Sequence, residues 1–330
     1  MLSVDAVLDT FVGLANYVVD ANKRIFYWYI LGAVILAVPV YLAKKRQSSV
    51  SGFFTFLFNP KIWLAPSAKQ DYGLFIINRF IRLFLLAPAI LLMVPVAIWV
   101  SDALESLFGK IAFLAWSSEA IIAVFTLALF IADDFTRFLL HWLLHKVPWL
   151  WQFHQVHHSA TVLTPFTVYR SHPVESYLYA CRMGFAQGFV VGLGYYVFGP
   201  NLSMFDVLGA NVFVFAFNIM GSNLRHSHIW LSWGCKVENW LISPAQHQIH
   251  HSDNPKHFDT NLGSALAIWD RMFGTLVLAK DVTRVRFGVG RGEKLPSSLW
   301  QLYWQPFVAI GASIFAGAKR LRVKDSPSLD

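Results

Sequence analysis

Charged side chains are scarce in this chain. They make up 14% of its 330 residues, whereas 56% are apolar and 16% are aromatic. Average soluble proteins carry roughly 25% charged residues, so this composition argues against a soluble globular protein and favours a membrane-embedded one. The formal net charge is +8, but the basic residues cluster at the ends of apolar runs. That placement predicts contact with anionic membrane lipids and no binding of nucleic acid.

Cysteine is almost absent, since Cys181 and Cys235 are the only two. They form no C-x-x-C pair, which excludes both a disulfide framework and a thiolate metal site.

The first twenty residues lack a basic segment and include three aspartates, so no cleavable signal peptide is predicted. No flavin, dinucleotide or haem motif is evident. The G-x-G that begins at Gly192 lies in an apolar run, where helix packing explains it.

Long apolar runs organise the chain instead. Residues 26–43 are long enough to cross hydrocarbon, and the Lys-Lys-Arg triplet at 44–46 predicts that this end faces the cytoplasm. Four further runs predict about four transmembrane helices in two hairpins: 83–100 with 111–132, and 177–198 with 204–220. The positive-inside rule then places the residues that follow each hairpin on the cytoplasmic side.

These runs predict an all-α integral membrane protein. Three regions are expected along the chain. They are an N-terminal membrane region (1–132), a catalytic region that includes one membrane hairpin (133–278, hairpin 177–220), and a C-terminal interfacial helix with a tail (279–330).

All twelve histidines lie between residues 130 and 274. Most fall into three spaced motifs: His141 and His145; His154, His157 and His158; and His247, His250 and His251. Residues three or four apart share one face of a helix, and neutral imidazole is the commonest protein ligand for mid-row transition metals. In each H-x-x-H-H motif the two adjacent histidines are expected to diverge toward two neighbouring ions.

Eight such ligands are too many for one ion, which offers about four to six positions, so the site is predicted to be dinuclear. Either His226 or His228 is expected to complete it, and His226 is favoured. His172 has no spaced partner, and two roles stay open for it: metal ligation, or a hydrogen bond on the substrate side. Six carboxylates are candidates for orienting the imidazoles: Asp133, Asp134, Glu175, Glu238, Asp259 and Asp270.

Residues 132–278 resemble the fatty acid hydroxylase/sterol desaturase superfamily of integral-membrane, non-haem di-iron enzymes. His228 departs from the family, which often has Asn there. The motifs that carry the resemblance are His141-x-x-x-His145, Trp151-Gln-Phe-His154-Gln-Val-His157-His158-Ser, Arg170-Ser-His172-Pro-Val-Glu175, His226-Ser-His228, Ser243-Pro-Ala-Gln-His247-Gln-Ile-His250-His251-Ser, Asp259-Thr-Asn261-Leu-Gly263 and Ile268-Trp-Asp270-Arg-Met-Phe273-Gly.

The resemblance implies a cytosolic cap that holds two iron ions and hydroxylates a lipid with O2. Zinc is expected as a substitute in isolated protein, because such sites bind it more tightly than Fe(II), but zinc is redox-inert. A separate electron donor is expected: a ferredoxin, a cytochrome b5 or a reductase. Carried over by position, the metal ligands are His141, His145, His154, His157, His158, His226, His247, His250 and His251, with His172 and His228 as additional candidates and no catalytic residue beyond the ligands.

Two other functions fit the same histidines. A desaturase on this scaffold would differ only in where the substrate carbon lies, and its product would lose two hydrogens instead of gaining one oxygen. A histidine-based membrane metal transporter or sensor would place ionisable ligands inside its spans, whereas these motifs lie outside the predicted hydrocarbon. The substrate itself stays open among fatty acyl, sterol, carotenoid and aminolipid classes.

Overall fold

The chain is mostly helical. The computed structural model describes residues 12–44, 49–86, 90–282, 285–290 and 296–324. The predicted C-terminal tail beyond Lys324 and the first eleven residues lie outside this range. The helices are α1 (Tyr27–Lys44), α2 (Val50–Leu57), α3 (Pro60–Trp63), α4 (Pro66–Ile81), α5 (Met93–Phe108), α6 (Ser118–Lys146), α7 (Pro148–His158), α8 (Pro173–Phe198), α9 (Val212–Ile219), α10 (Gly234–Glu238), α11 (Pro244–His250), α12 (Ile268–Phe273) and α13 (Leu299–Lys324).

Helix α8 packs closely against α5 and α6. Three glycines, one turn apart on α8, permit the approach to α5. A Cβ added at Gly184 would lie 2.1 Å from the carbonyl oxygen of Leu91, and one at Gly192 would lie 2.5 Å from that of Ala97. Gly188 lies between them, where an added Cβ would fall 2.6 Å from the Cβ of Val96. Small residues at this spacing let helix backbones approach, so the packing role predicted for Gly192 is confirmed.

Helix α1 is the element with the strongest membrane signal. Over its 18 residues the mean hydropathy is 1.5, and among the described residues it alone has both the length and the apolar composition for a crossing. Helix α1 also packs against α9 and the 3₁₀ turn Ser222–His226. The predicted apolar run at 26–43 therefore forms one continuous helix.

Three of the four other predicted spans differ from the structure. The run 83–100 is divided, because α4 continues into a π-helical turn at Arg82–Leu86 and α5 begins only at Met93. The run 111–132 becomes helical only after Ser117, whose side chain accepts a hydrogen bond from the backbone N–H of Ala120 and caps α6.

The run 204–220 contains a small β-hairpin, in which β1 (Asp206–Val207) pairs with β2 (Ala210–Asn211). Leu208 and Gly209 form its turn with φ values of 53° and 80°. The helix that follows, α9, has eight residues, or about 12 Å at 1.5 Å per residue, too short to cross hydrocarbon. The prediction of a transmembrane helix at 204–220 is wrong. The run 177–198, in contrast, lies wholly within α8.

Candidate metal centre

Four helical elements bring histidines to one place. They are the C-terminal end of α6, the C-terminal half of α7, the 3₁₀ turn Ser222–His226, and α11 with the residue that follows it. Proline starts both α7 and α11, at Pro148 and Pro244, where its missing N–H costs no hydrogen bond. Ser243 and Gln246 add a capping box to α11. Local sequence thus fixes where each H-x-x-H-H helix begins.

The nine histidines carried over from the family form two groups. Within each group, one nitrogen per ring lies within 4.8 Å of the others, and eight of the nine residues are buried. The consecutive pairs His157-His158 and His250-His251 are each divided between the groups, as the sequence predicted. The first group is His141, His145, His154, His158 and His250, and the second is His157, His226, His247 and His251.

The rings point unprotonated nitrogens at one another. His141 donates its Nδ1–H to the carbonyl oxygen of Leu262 at 2.7 Å, and His250 donates to that of Thr260 at 2.8 Å. A carbonyl oxygen only accepts, so each of these neutral rings keeps Nε2 as a lone pair. His141 Nε2 then lies 3.0 Å from His154 Nε2, whereas the buried His250 Nε2 has no hydrogen-bond partner in the described structure.

The second group is equally crowded. His226 Nε2 lies 3.1 Å from His247 Nε2, 3.2 Å from His251 Nε2 and 3.3 Å from His157 Nε2. His157 donates its Nδ1–H to the carbonyl oxygen of Arg170 at 3.1 Å, which leaves its Nε2 lone pair facing this group. A ring nitrogen carries at most one hydrogen, so hydrogen bonds cannot satisfy all of these contacts. A cation placed among the nitrogens would accept their lone pairs and so satisfy these contacts. Both groups therefore fit a metal ion.

Burial keeps these imidazoles neutral, as metal ligation requires. It lowers the pKa of His157 to about 4, and it lowers the pKa of His141 and His251 well below the ordinary value. A neutral ring offers the lone pair that a transition metal binds, whereas a protonated ring would repel the ion.

Two carboxylates hold rings from outside the cluster. Glu175 contacts His154 Nδ1 at 3.0 Å, and Asp259 contacts His145 Nδ1 at 3.2 Å. Burial raises the pKa of Glu175 well above its ordinary value, and a cation held by His154 would favour the carboxylate form, which accepts the Nδ1–H. Of the six carboxylates considered from sequence, only these two contact an imidazole.

Of the other four carboxylates, three bind loops around the site and Asp133 links α6 to α8. Asp134 accepts hydrogen bonds from the backbone of residues 265 and 266 and from the Trp269 indole, and Glu238 accepts from Ser243 and from the backbone of residue 279. Asp133 pairs with Arg137 and Arg182. Asp270 accepts from the backbone N–H of Leu262 and so positions the residue whose carbonyl oxygen binds His141.

A strained loop supplies further partners that sequence reasoning missed. Asp259 and Asn261 have φ values of 57° and 52°, a conformation that Asp and Asn adopt more readily than other non-glycine residues. Asn261 donates to the carbonyl oxygen of Gln246 and accepts from the backbone N–H of Val277. The loop thereby directs the carbonyl oxygen of Thr260 at His250. The Asp-Thr-Asn-Leu-Gly motif was the one sequence signal for this loop. It could not identify the carbonyl oxygens that bind the histidines, because every residue has a backbone carbonyl.

The two additional candidates lie outside both groups. His228 donates its Nε2–H to the carbonyl oxygen of Phe56 at 2.7 Å. His172 caps α8 by accepting from the backbone N–H of Val174, and its Nε2–H is donated to the carbonyl oxygen of Tyr303 at 3.1 Å. Both ring nitrogens of His172 are engaged, and neither His172 nor His228 belongs to either group. The structure therefore corrects their candidacy as ligands, and of the pair His226 and His228 it brings only His226 to the site.

A cavity of about 350 Å³ opens beside the histidines, within the range of small-molecule sites. Five of the nine rings line it, together with residues of α4, α8 and the 3₁₀ turn at 222–226. The histidines on its wall are His141, His154, His157, His226 and His247.

A family model for fatty acid hydroxylases matches residues 126–275, a range that contains all nine clustered histidines. These 150 residues, slightly less than half of the chain, are similar to the fatty acid hydroxylase family. The recognition made from the histidine motifs is therefore confirmed, and the N-terminal helices α1 to α5 lie outside the matched range.

Three curated relatives illustrate the family's range. The chain is 30% identical over 160 residues to alkylglycerol monooxygenase of Xenopus tropicalis, covering 48% of this chain and 32% of the relative. It is 30% identical over 186 residues to ornithine lipid hydroxylase OlsE of Rhizobium tropici (56% and 51%) and 29% identical over 165 residues to mouse cholesterol 25-hydroxylase (46% and 45%). The chain thus spans between about a third and a half of these relatives. No solved structure matches it significantly.

Proposed function

We propose that this protein is a membrane-bound hydroxylase that inserts one oxygen atom from O2 into a lipid at a di-iron centre. The observation that carries the proposal is the convergence of nine histidines, eight of them buried, into two adjacent groups, each able to hold one ion. The family match supports the same chemistry, because the three relatives named above are a monooxygenase and two hydroxylases of lipids or sterols.

The two groups would hold the two irons. His141, His145, His154, His158 and His250 would bind one ion, and His157, His226, His247 and His251 the other. When bound, two redox-active ions would supply electrons that cleave O2 and would accept electrons from an unactivated C–H bond. The chain's own contribution is to hold the rings through their outer nitrogens and to keep water out through burial.

The electrons would come from a separate donor. Hydroxylation of a C–H bond by O2 forms one alcohol and one water, and the balance requires two electrons and two protons per turnover. A ferredoxin, a cytochrome b5 or a reductase would supply them, and protein ligands cannot, because imidazole and carboxylate are not oxidised in the cycle.

The outer surface of the helices supports a membrane location and therefore a lipid substrate. Large apolar side chains on α5 and α8 face outward, with Trp99 65% exposed, Ile98 57% and Phe185 48%. Contiguous exposed apolar surface marks a membrane or protein contact. Together with α1, these faces support an integral membrane protein whose site receives substrate from the bilayer.

The histidine cluster is proposed to face the cytoplasm. Support comes from the basic triplet at 44–46 that follows α1, which the positive-inside rule assigns to that side. The test is labelling of a cysteine introduced at exposed Lys256 in a chain without Cys181 and Cys235. Labelling of intact cells by a membrane-impermeant maleimide would contradict the assignment.

The function is tested by comparing lipids from cells that express the unmodified chain with lipids from cells that express His158→Ala, both grown under ¹⁸O2. The expected product carries one ¹⁸O atom and appears only with the unmodified chain. A product that has instead lost two hydrogens would establish a desaturase. Identical lipids combined with histidine-dependent metal flux would establish a transporter and overturn the proposal.

A further inference from the structure

Six arginines line the cavity beside the histidines. Arginine is rarely buried without a partner, and its concentration around one cavity therefore needs an explanation. Arg225 is only 6% exposed and immediately precedes His226. It donates from Nη2 to the carbonyl oxygen of Gly263 at 3.4 Å and lies over the Phe217 ring, but it forms no ion pair with a described residue. The six residues are Arg24, Arg79, Arg82, Arg137, Arg182 and Arg225.

The positive charge of this cavity is poorly compensated. In the part of the chain that the structure describes, one carboxylate forms ion pairs with these arginines: Asp133 contacts Arg137 at 2.9 Å and Arg182 at 2.7 Å. Glu175 also lines the cavity, where its carboxyl group contacts His154 Nδ1 at 3.0 Å. The cavity thus carries a strong positive potential that would attract an anion.

Several hydrogen-bond donors on the wall are also unused. Within the described ranges, the buried Nε atoms of Arg79, Arg182 and Arg225 and the buried Nδ2 atom of Asn223 have no partner. A buried donor without a partner destabilises a protein, so such atoms are normally paired. Guanidinium and amide donors suit the oxygens of a phosphate or carboxylate, which arginine binds in a bidentate manner.

An apolar pocket adjoins the basic cavity. It measures about 100 Å³ and is lined by Ile30 and Val34 of α1, together with Leu57, Leu163 and Ile229. Pro165 and Asn223 line both spaces, so the two share a wall. An amphiphile with an anionic end in the basic cavity would have an apolar compartment beside that end, on the side of the candidate membrane helix.

We propose that the arginine-lined cavity binds the anionic headgroup, phosphate or carboxylate, of the lipid substrate and thereby sets substrate class. The proposal rests on the lipid hydroxylase function proposed above. It commits to a lipid and not to free phosphate, because the adjoining pocket is apolar and the histidines share the wall of the basic cavity.

The test is calorimetric binding to the full chain loaded with Zn²⁺ in neutral detergent. Zinc occupies the histidines without redox chemistry, so binding is measured without turnover. The probes share a twelve-carbon chain: dodecyl phosphate, dodecanoate, dodecanol and dodecyltrimethylammonium. Inorganic phosphate is the fifth probe. The proposal predicts that at least one of the two anionic amphiphiles binds at least tenfold more tightly than the alcohol, the cation and inorganic phosphate.

Three results would overturn it. Equal binding of dodecanol would remove the role of charge, and equal binding of inorganic phosphate would indicate a free-anion site. The third result is binding of the anionic amphiphile by Arg225→Gln as tight as by the unmodified chain. The proposal expects this variant to bind at least tenfold more weakly.

The matched control is Arg271→Gln, because Arg271 is exposed and stacks on the Trp240 ring away from the cavity. Arg271→Gln should bind like the unmodified chain. If Arg225→Gln fails to fold, Arg79→Gln on α4 takes its place, and the probe series on the unmodified chain decides by itself. Because no turnover is involved, this test can fail while hydroxylation stands, or succeed while hydroxylation fails.

Discussion

At the scale of the residue, division of consecutive histidines between two ions is the feature on which the proposed chemistry depends. His157 and His158 belong to different groups, and so do His250 and His251. Each ring is oriented by what its other nitrogen contacts. Removing a partner of that kind typically lowers metal affinity by roughly 10- to 100-fold.

Loss of one ring from either group should stop turnover. His158→Ala removes a ring from the first group and His251→Ala removes one from the second. Each should reduce turnover and metal affinity by more than the roughly 10- to 100-fold caused by removing an outer partner. Metal content and ¹⁸O incorporation measure this. His257→Ala is the control, because His257 lies outside both groups, and equal activity in all three variants would contradict the assignment.

Glu175 should matter through His154. Glu175→Leu removes the acceptor of the His154 Nδ1–H and should lower metal affinity by roughly 10- to 100-fold. Glu175→Gln keeps an acceptor oxygen and should recover much of the loss. Asp259→Leu should cost less, since the Asp259 side chain is 38% exposed and water can replace it. Competition with a chelator measures all three, and a Glu175→Leu variant with unchanged affinity would disprove the positioning role.

At the scale of the element, sequence periodicity located the ligand helices but not the ends of the membrane runs. The H-x-x-H-H spacing predicted helices correctly because histidines three and four residues apart share a helical face. The prediction of a transmembrane helix at 204–220 was wrong because Leu208 and Gly209 form a turn that apolar composition does not reveal. The carbonyl oxygens of Leu262 and Thr260 were unpredictable for a related reason, since every residue has one and only the folded loop decides where it points.

Close packing of α8 against α5 makes a separate prediction. Gly188→Ala would place a Cβ 2.6 Å from that of Val96, and overpacking of this kind costs roughly 1–3 kcal/mol. The thermal unfolding midpoint should fall. Gly311→Ala on α13 is the matched control, because no atom lies within 4 Å of its added Cβ. A Gly188→Ala variant as stable as Gly311→Ala would show that the two helices are not in tight contact.

At the scale of the whole molecule, the fold has an unusual interior. The described residues bury a cluster of histidines together with Arg170 and Arg225, whereas large apolar side chains on α5 and α8 face outward. This inversion is expected of a protein whose outer solvent is lipid. It also makes the metal-free chain sensitive to acid.

Acid should destabilise the metal-free protein. Burial lowers the folded-state pKa of His157 to about 4 from 6.5, so between these values the unfolded chain binds more protons and acidification favours unfolding. His157 alone would account for roughly 3 kcal/mol by pH 4. The unfolding midpoint should fall steadily below pH 6.5, and less steeply in the zinc-loaded chain, because protons must first displace the ion. A midpoint that stays constant from pH 7 to 4.5 would contradict this.

Metal stoichiometry tests the central claim most directly. The purified chain, reconstituted anaerobically with Fe(II) and freed of excess ion, should contain two irons per chain by elemental mass spectrometry. His158→Ala and His251→Ala should each retain fewer, whereas His257→Ala should retain both. One iron or none in the unmodified chain would contradict the dinuclear centre and the oxygen chemistry proposed from it.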